Sequence, residues 1–78
     1  LNEYYICECN INENNASRCK KILKNGSDFI VVVFQFGNSR FLVCVYDTVT
    51  EKYMEKYKFR EYEQALQFAK QLNDDYKV

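Results

Sequence analysis

The side chains that could do chemistry in this chain are four cysteines, Cys7, Cys9, Cys19 and Cys44, and two sets of neighbouring carboxylates, Glu51 with Glu55 and Asp74 with Asp75. Histidine is absent. A cysteine or serine nucleophile therefore has no imidazole to take its proton, and no glycine-rich strand-to-helix turn offers a phosphate cradle. A carboxylate pair works as acid and base only where a cleft pushes the two pKa values apart. These pairs fall at a predicted strand edge and a predicted helix end, where both acids are solvated. The sequence reads as a non-enzyme with no cofactor.

The cysteines admit several readings. A disulfide framework suits a secreted protein, and a thiolate cluster suits a metal. Against both, Cys7 and Cys9 are separated by one residue, whereas zinc knuckles commonly place two residues between paired cysteines. Cys44 stands inside an apolar run, where a thiol packs as a small hydrophobe. Reduced core cysteines, with no metal, are the favoured reading.

Any site must be positioned by residues 29 to 59, which read as consecutive antiparallel strands. Phe29 to Phe36 and Phe41 to Tyr46 are β-branched and aromatic, and Gly37-Asn38 between them is a hairpin signal. Whether the turn is the two residues Gly37-Asn38 or the four residues Gly37 to Arg40, even positions of the first strand then share a face with odd positions of the second. One face carries Ile30, Val32, Phe34, Phe36, Phe41, Val43 and Val45. The other carries Phe29, Val31, Val33, Leu42, Cys44 and Tyr46. For the next strand, Thr50 to Phe59, an odd loop around Asp47 to Lys52 puts Tyr53, Tyr57 and Phe59 on the first face. An even loop would bury Lys56 and Lys58 there without partners. With the odd loop, Met54, Lys56 and Lys58 extend the second face as a basic margin.

Residues 3 to 11 alternate, with Tyr5, Cys7, Cys9 and Ile11 on one side, and read as an edge strand. Residues 15 to 25 carry Ala16, Cys19, Ile22 and Leu23 at helical spacing, with Asn14 or Asn15 as N-cap and Gly26 as a stop, which favours a short helix. The competing reading is a strand from Arg18 to Lys24, turned through Asn25-Gly26 onto the strand at Phe29. Arg60 to Tyr76 is the clearest helix, its stripe running through Tyr62, Ala65, Leu66, Ala69, Leu72 and Tyr76. It lacks a Ser, Thr, Asp or Asn cap and is expected to cover Phe34, Val43 and Tyr57. Helix, three strands and helix resembles the element order of the double-stranded-RNA-binding module. The similarity is one of order alone, because the last helix opens Arg60-Glu61-Tyr62-Glu63, acidic where that family presents lysines to phosphate.

The expected fold is therefore α+β in a single domain spanning residues 1 to 78: an antiparallel sheet of three to four strands, the C-terminal amphipathic helix on one face, and a short N-terminal helix. Apolar content of 47% with 17% aromatic residues is too high for disorder. Eleven basic and eleven acidic side chains cancel, so no net field steers the chain to nucleic acid or an anionic membrane. No apolar run approaches the roughly 20 residues that span a bilayer, and the charged-then-apolar layout of a signal peptide is missing, which suits a cytoplasmic protein.

The functional expectation rests on the second sheet face, which the C-terminal helix cannot cover from the opposite side. Four modest apolar residues at positions 15 to 25 are few for covering three strands. The surplus points to an interface, either a homodimer or a protein-partner site, made of Val31, Val33, Leu42, Cys44, Tyr46, Met54, Lys56 and Lys58. A small regulator or inhibitor fits this description. Abundant Asn, Lys, Tyr and Ile suit an AT-rich genome and hence an inhibitor carried by a mobile genetic element. The second reading is a nucleic-acid binder that uses the same face, with Lys20, Lys21 and Lys24 added.

Overall fold

The structure, a computed structural model, describes Tyr4–Tyr5 and residues 18–78. Its elements are β1 (Tyr4–Tyr5), β2 (Cys19–Leu23), β3 (Phe29–Gln35), β4 (Phe41–Asp47), β5 (Lys52–Phe59) and α1 (Tyr62–Asp75). The sheet is antiparallel throughout, in the order β1-β5-β4-β3-β2. The α+β architecture with a C-terminal helix is as the sequence predicts. The expected N-terminal strand is represented by Tyr4–Tyr5, paired with Tyr57 and Lys56 of β5. The rest of that span, including Cys7 and Cys9, lies outside the described residues, as do residues 15 to 17 of the expected helix.

Residues 19 to 23 form a strand and not a helix, which corrects the favoured reading in favour of its competitor. The reason is the turn that follows. Asn25 accepts the Ser27 N–H on its Oδ1 at 2.8 Å and donates from Nδ2 to the Phe29 carbonyl at 3.1 Å, while Gly26 takes φ +89°. This Asx turn folds the chain back, so that Ile22 pairs with Val32 and Leu23 with Val31. Satisfying a row of backbone groups on β3 outweighs a helical stripe with few apolar anchors. Among the described residues, a strand thus stands where the element order of the double-stranded-RNA-binding module has a helix.

The β3–β4 hairpin forms where expected, but its register differs. Gln35 pairs with Phe41, and the Phe36 N–H donates to the Arg40 carbonyl at 2.9 Å, leaving a three-residue loop of Gly37, Asn38 and Ser39 with Gly37 at φ +134°. An odd loop reverses the parity of one strand against the other. Odd residues of β3 therefore join odd residues of β4. At the other hairpin Asp47 pairs with Lys52, giving a four-residue loop in which Asp47 Oδ1 accepts the Val49 N–H at 2.9 Å. The expected odd loop is thus even, and a one-residue bulge at Met54 restores the parity. Tyr57 and Phe59 reach the face of Val43 and Phe41 as predicted, whereas Tyr53, before the bulge, turns to the opposite face.

α1 covers the odd face, packing Ala65, Ala69 and Leu72 onto Val31, Val33, Phe41, Val43, Val45 and Phe59. Alanines at 65 and 69 let its backbone approach the sheet closely, and Tyr62, Phe68 and Tyr76 flank them. Phe68 meets Tyr57 at 4.7 Å and Phe59 at 5.2 Å between ring centroids. Val43 and Tyr57 are covered as expected, but Phe34 is not, because the register places it on the other side. Glu61 at the N-cap makes no side-chain capping bond, in keeping with the missing cap residue. Leu66 is half-buried and stands outside the cluster, while Leu72 belongs to it. Leu72→Ala is therefore expected to cost about 2 to 4 kcal/mol and Leu66→Ala roughly 1 kcal/mol or less. Urea midpoints that fall equally for the two variants would contradict this placement of the helix.

Candidate partner-binding surface

The register settles where each predicted interface residue lies. Val31 and Val33 are fully buried beneath α1 and do not belong to the second face, which corrects the sequence-based grouping. Leu42 and Cys44 do lie on that face, joined by Val32, Phe34 and Tyr53, with Cys19, Ile30, Phe36 and Tyr46 packed around them. Lys58 stands opposite Leu42 and Lys56 opposite Cys44, so both lysines reach the expected face. Met54 sits at the bulge and is 41% exposed. The structure thus brings together Leu42, Cys44, Tyr46, Lys56 and Lys58, and separates Val31 and Val33 from them.

This second face is interior. Val32, Phe34, Leu42, Cys44 and Tyr53 are between 0 and 4% exposed. A chain of rings runs through it, from Phe36 to Phe34 at 6.1 Å, Phe34 to Tyr53 at 6.1 Å and Tyr53 to Tyr46 at 4.9 Å, in the tilted and edge-on geometries aromatic side chains adopt in cores. Four consecutive buried residues in β3, Val31 to Phe34, mark a strand enclosed on both sides.

Glu51 and Glu55 stand in different settings. Glu55 lies on the helix side, opposite Val45, and its two oxygens accept from the Tyr57 hydroxyl at 2.7 Å and the Tyr76 hydroxyl at 2.6 Å. It ties the end of α1 to β5, while Glu51 stays exposed in the preceding loop. Glu55→Ala is expected to lower stability by about 1 to 3 kcal/mol, the range for hydrogen bonds to a charged acceptor. An unchanged denaturation midpoint would show that both tyrosines find water equally well. Among the described residues, no group of three or more potential metal ligands comes together. No helix of the described residues is long and apolar enough to cross a membrane.

A different surface emerges at the sheet margin. β2 has a single neighbour among the described strands. Arg18, Lys20, Lys21 and Lys24 are exposed along it, and no acid interrupts the run from Arg18 to Ser27. Between the lysines, Ile22 is 48% exposed. A bulge between Cys19 and Lys21 twists the strand. At its start, the Arg18 guanidinium lies 5.0 Å from the centre of the Phe36 ring, and Arg40 approaches the same ring at 5.9 Å. These contacts orient both cations by their attraction to the ring face. The sequence displays this basic run openly, but on a helix it is an ordinary solvated face. Only its assignment to an edge strand gives it a row of backbone groups as well as charge.

Comparison of the chain with protein-family models, with curated proteins and with solved structures finds no match.

Proposed function

We propose that the chain is a small protein-binding module, a regulator or inhibitor without catalysis of its own, that takes an extended segment of a partner protein along the edge of β2. The observation that carries this reading is that β2 is the edge strand among the described strands and carries an exposed apolar side chain, while residues on both faces of the sheet are buried. An added strand bonds to the unpaired backbone groups of such an edge, and alternate side chains set the choice of partner. The Asx turn at Asn25 supports the edge from one side: Asn25 Nδ2 donates to Asn73 Oδ1 at 2.9 Å and Asn73 Nδ2 to the Lys24 carbonyl at 3.2 Å, which fixes the end of β2 to α1. A preorganised edge loses less freedom on binding than a mobile one.

The test uses the 15N-labelled chain with three capped six-residue peptides of alternating valine and threonine, valine and glutamate, or valine and lysine, and with a single-stranded deoxythymidine oligonucleotide. The reading expects at least one peptide to shift the amide resonances of Cys19–Leu23. Should no peptide bind while the oligonucleotide binds at low salt and is lost steeply as salt rises, nucleic acid is the partner class and the proposal fails.

A further inference from the structure

We infer that the segment taken up by β2 is acidic and belongs to a different protein rather than to a second copy of this chain. This inference rests on the reading of β2 as a docking edge and adds the chemistry of its partner.

The charge along β2 is of one sign. Arg18, Lys20, Lys21 and Lys24 are exposed, and among the described residues none of them forms an ion pair. Cations gathered on a strand raise its potential even though the whole chain is neutral, and the effect reaches about 8 to 10 Å at moderate salt. Two consequences follow for strands that could pair there. A second β2, laid antiparallel, would set lysines against lysines, and like charges directly opposite each other are unfavourable. Charged residues and bulges on edges are the usual means by which proteins discourage self-pairing, and β2 has both. An acidic strand meets the opposite situation, since a carboxylate set against Lys20 or Lys21 gains a cation as its neighbour.

Geometry adds a pattern to the charge. Ile22 projects on the second-face side, in line with Val32. Lys21 projects on the α1 side, in line with Val33. A strand beside them therefore meets the exposed Ile22 on one face and Lys21, next to the half-buried Leu23, on the other, so a segment with an aliphatic residue against Ile22 and a Glu or Asp against Lys21 would match. Arg18, held on Phe36, offers the planar fork that receives a carboxylate in two bonds.

The test compares the same peptides with one another. At about 50 mM salt, the valine–glutamate peptide is expected to bind roughly tenfold more tightly than the valine–threonine peptide, with the valine–lysine peptide weakest, because several exposed cross-strand pairs each add a small increment. The preference should shrink as salt is raised. In the K20E/K21E variant the order should reverse toward the lysine peptide, and K20Q/K21Q should remove the preference while leaving the fold intact. Equal affinities for the acidic and neutral peptides would overturn the inference while leaving the edge-docking reading in place. Binding of no peptide would overturn both. Binding of the oligonucleotide with the same shifts as the acidic peptide would mean that the edge reads charge alone, and would also refute a protein segment as its specific occupant. A concentration-dependent dimer that protects β2 would show that the partner is a second copy.

Discussion

Val31→Glu will leave the chain unfolded at neutral pH and 25 °C. Val31 is wholly buried between the sheet and α1, with Leu23 and Val45 as its cross-strand neighbours. A carboxylate there loses its water and gains no cationic partner, at an effective cost of several kcal/mol. The lost packing of the valine adds roughly 1 to 2 kcal/mol. A domain of this size has a total stability of about 4 to 12 kcal/mol, so one such charge removes most or all of it. Far-ultraviolet circular dichroism and the loss of a cooperative melt would report the outcome. A folded, cooperative Val31→Glu protein would mean that α1 does not lie where this account places it.

Val32→Glu, one residue on, should be equally destructive, although Val32 points the other way. It is wholly buried beside Ile22 and Cys44, in the cluster of Phe34, Leu42 and Tyr53. The expected loss again exceeds about 4 kcal/mol. The two adjacent variants form a single experiment on the sheet. Were one face open to a partner, a charge on that face would be accommodated in the free protein, and only its neighbour would unfold. Unfolding of both variants is the signature of a strand enclosed on both sides. Survival of Val32→Glu with a native spectrum would return the second face to the role of an interface.

These two positions also show why the sequence could be read only in part. The hairpin strands, the third strand and the C-terminal helix announce themselves by composition and by stripes that fit one periodicity. Tyr57 and Phe59 could be assigned to the helix side because the alternative buried Lys56 and Lys58. For β3 no such test exists: Ile30, Val32 and Phe34 are as apolar as Phe29, Val31 and Val33, so either set could face the helix. Its orientation is decided by one residue of loop length, since a turn of Gly37, Asn38 and Ser39 gives the opposite parity to one of Gly37 and Asn38. This is why Leu42, Cys44, Tyr46, Lys56 and Lys58 share the face the sequence assigns them, while Val31 and Val33 lie on the opposite one.

β2 is hidden in the sequence for a different reason. Cys19, Ile22 and Leu23 fit a helical stripe, and in a strand Ile22 and Leu23 fall on opposite faces, so periodicity alone favours the helix. The contrary signal was Asn25-Gly26, whose turn brings the chain back onto β3. Strand pairing is a contact with residues far along the chain, and no local window contains it. With the helix went the reading of the basic run as a solvated face, and with the strand came the candidate edge.

Docking along β2 requires that one side of the strand is bonded to β3 and that the other, which no described strand pairs, faces water. Residue-resolved amide hydrogen exchange tests it most directly. In an antiparallel strand successive amides point to opposite edges. Ile22, paired with Val32, must therefore aim its N–H the opposite way from Lys21 and Leu23, paired with Val33 and Val31. The account predicts that one of these two sets exchanges as slowly as the amides of β3, while the other exchanges faster by orders of magnitude because it faces water. Addition of a bound acidic peptide should slow the fast set. Uniformly slow exchange across Lys21, Ile22 and Leu23 in the free protein would show that the edge is already occupied, and would contradict the account.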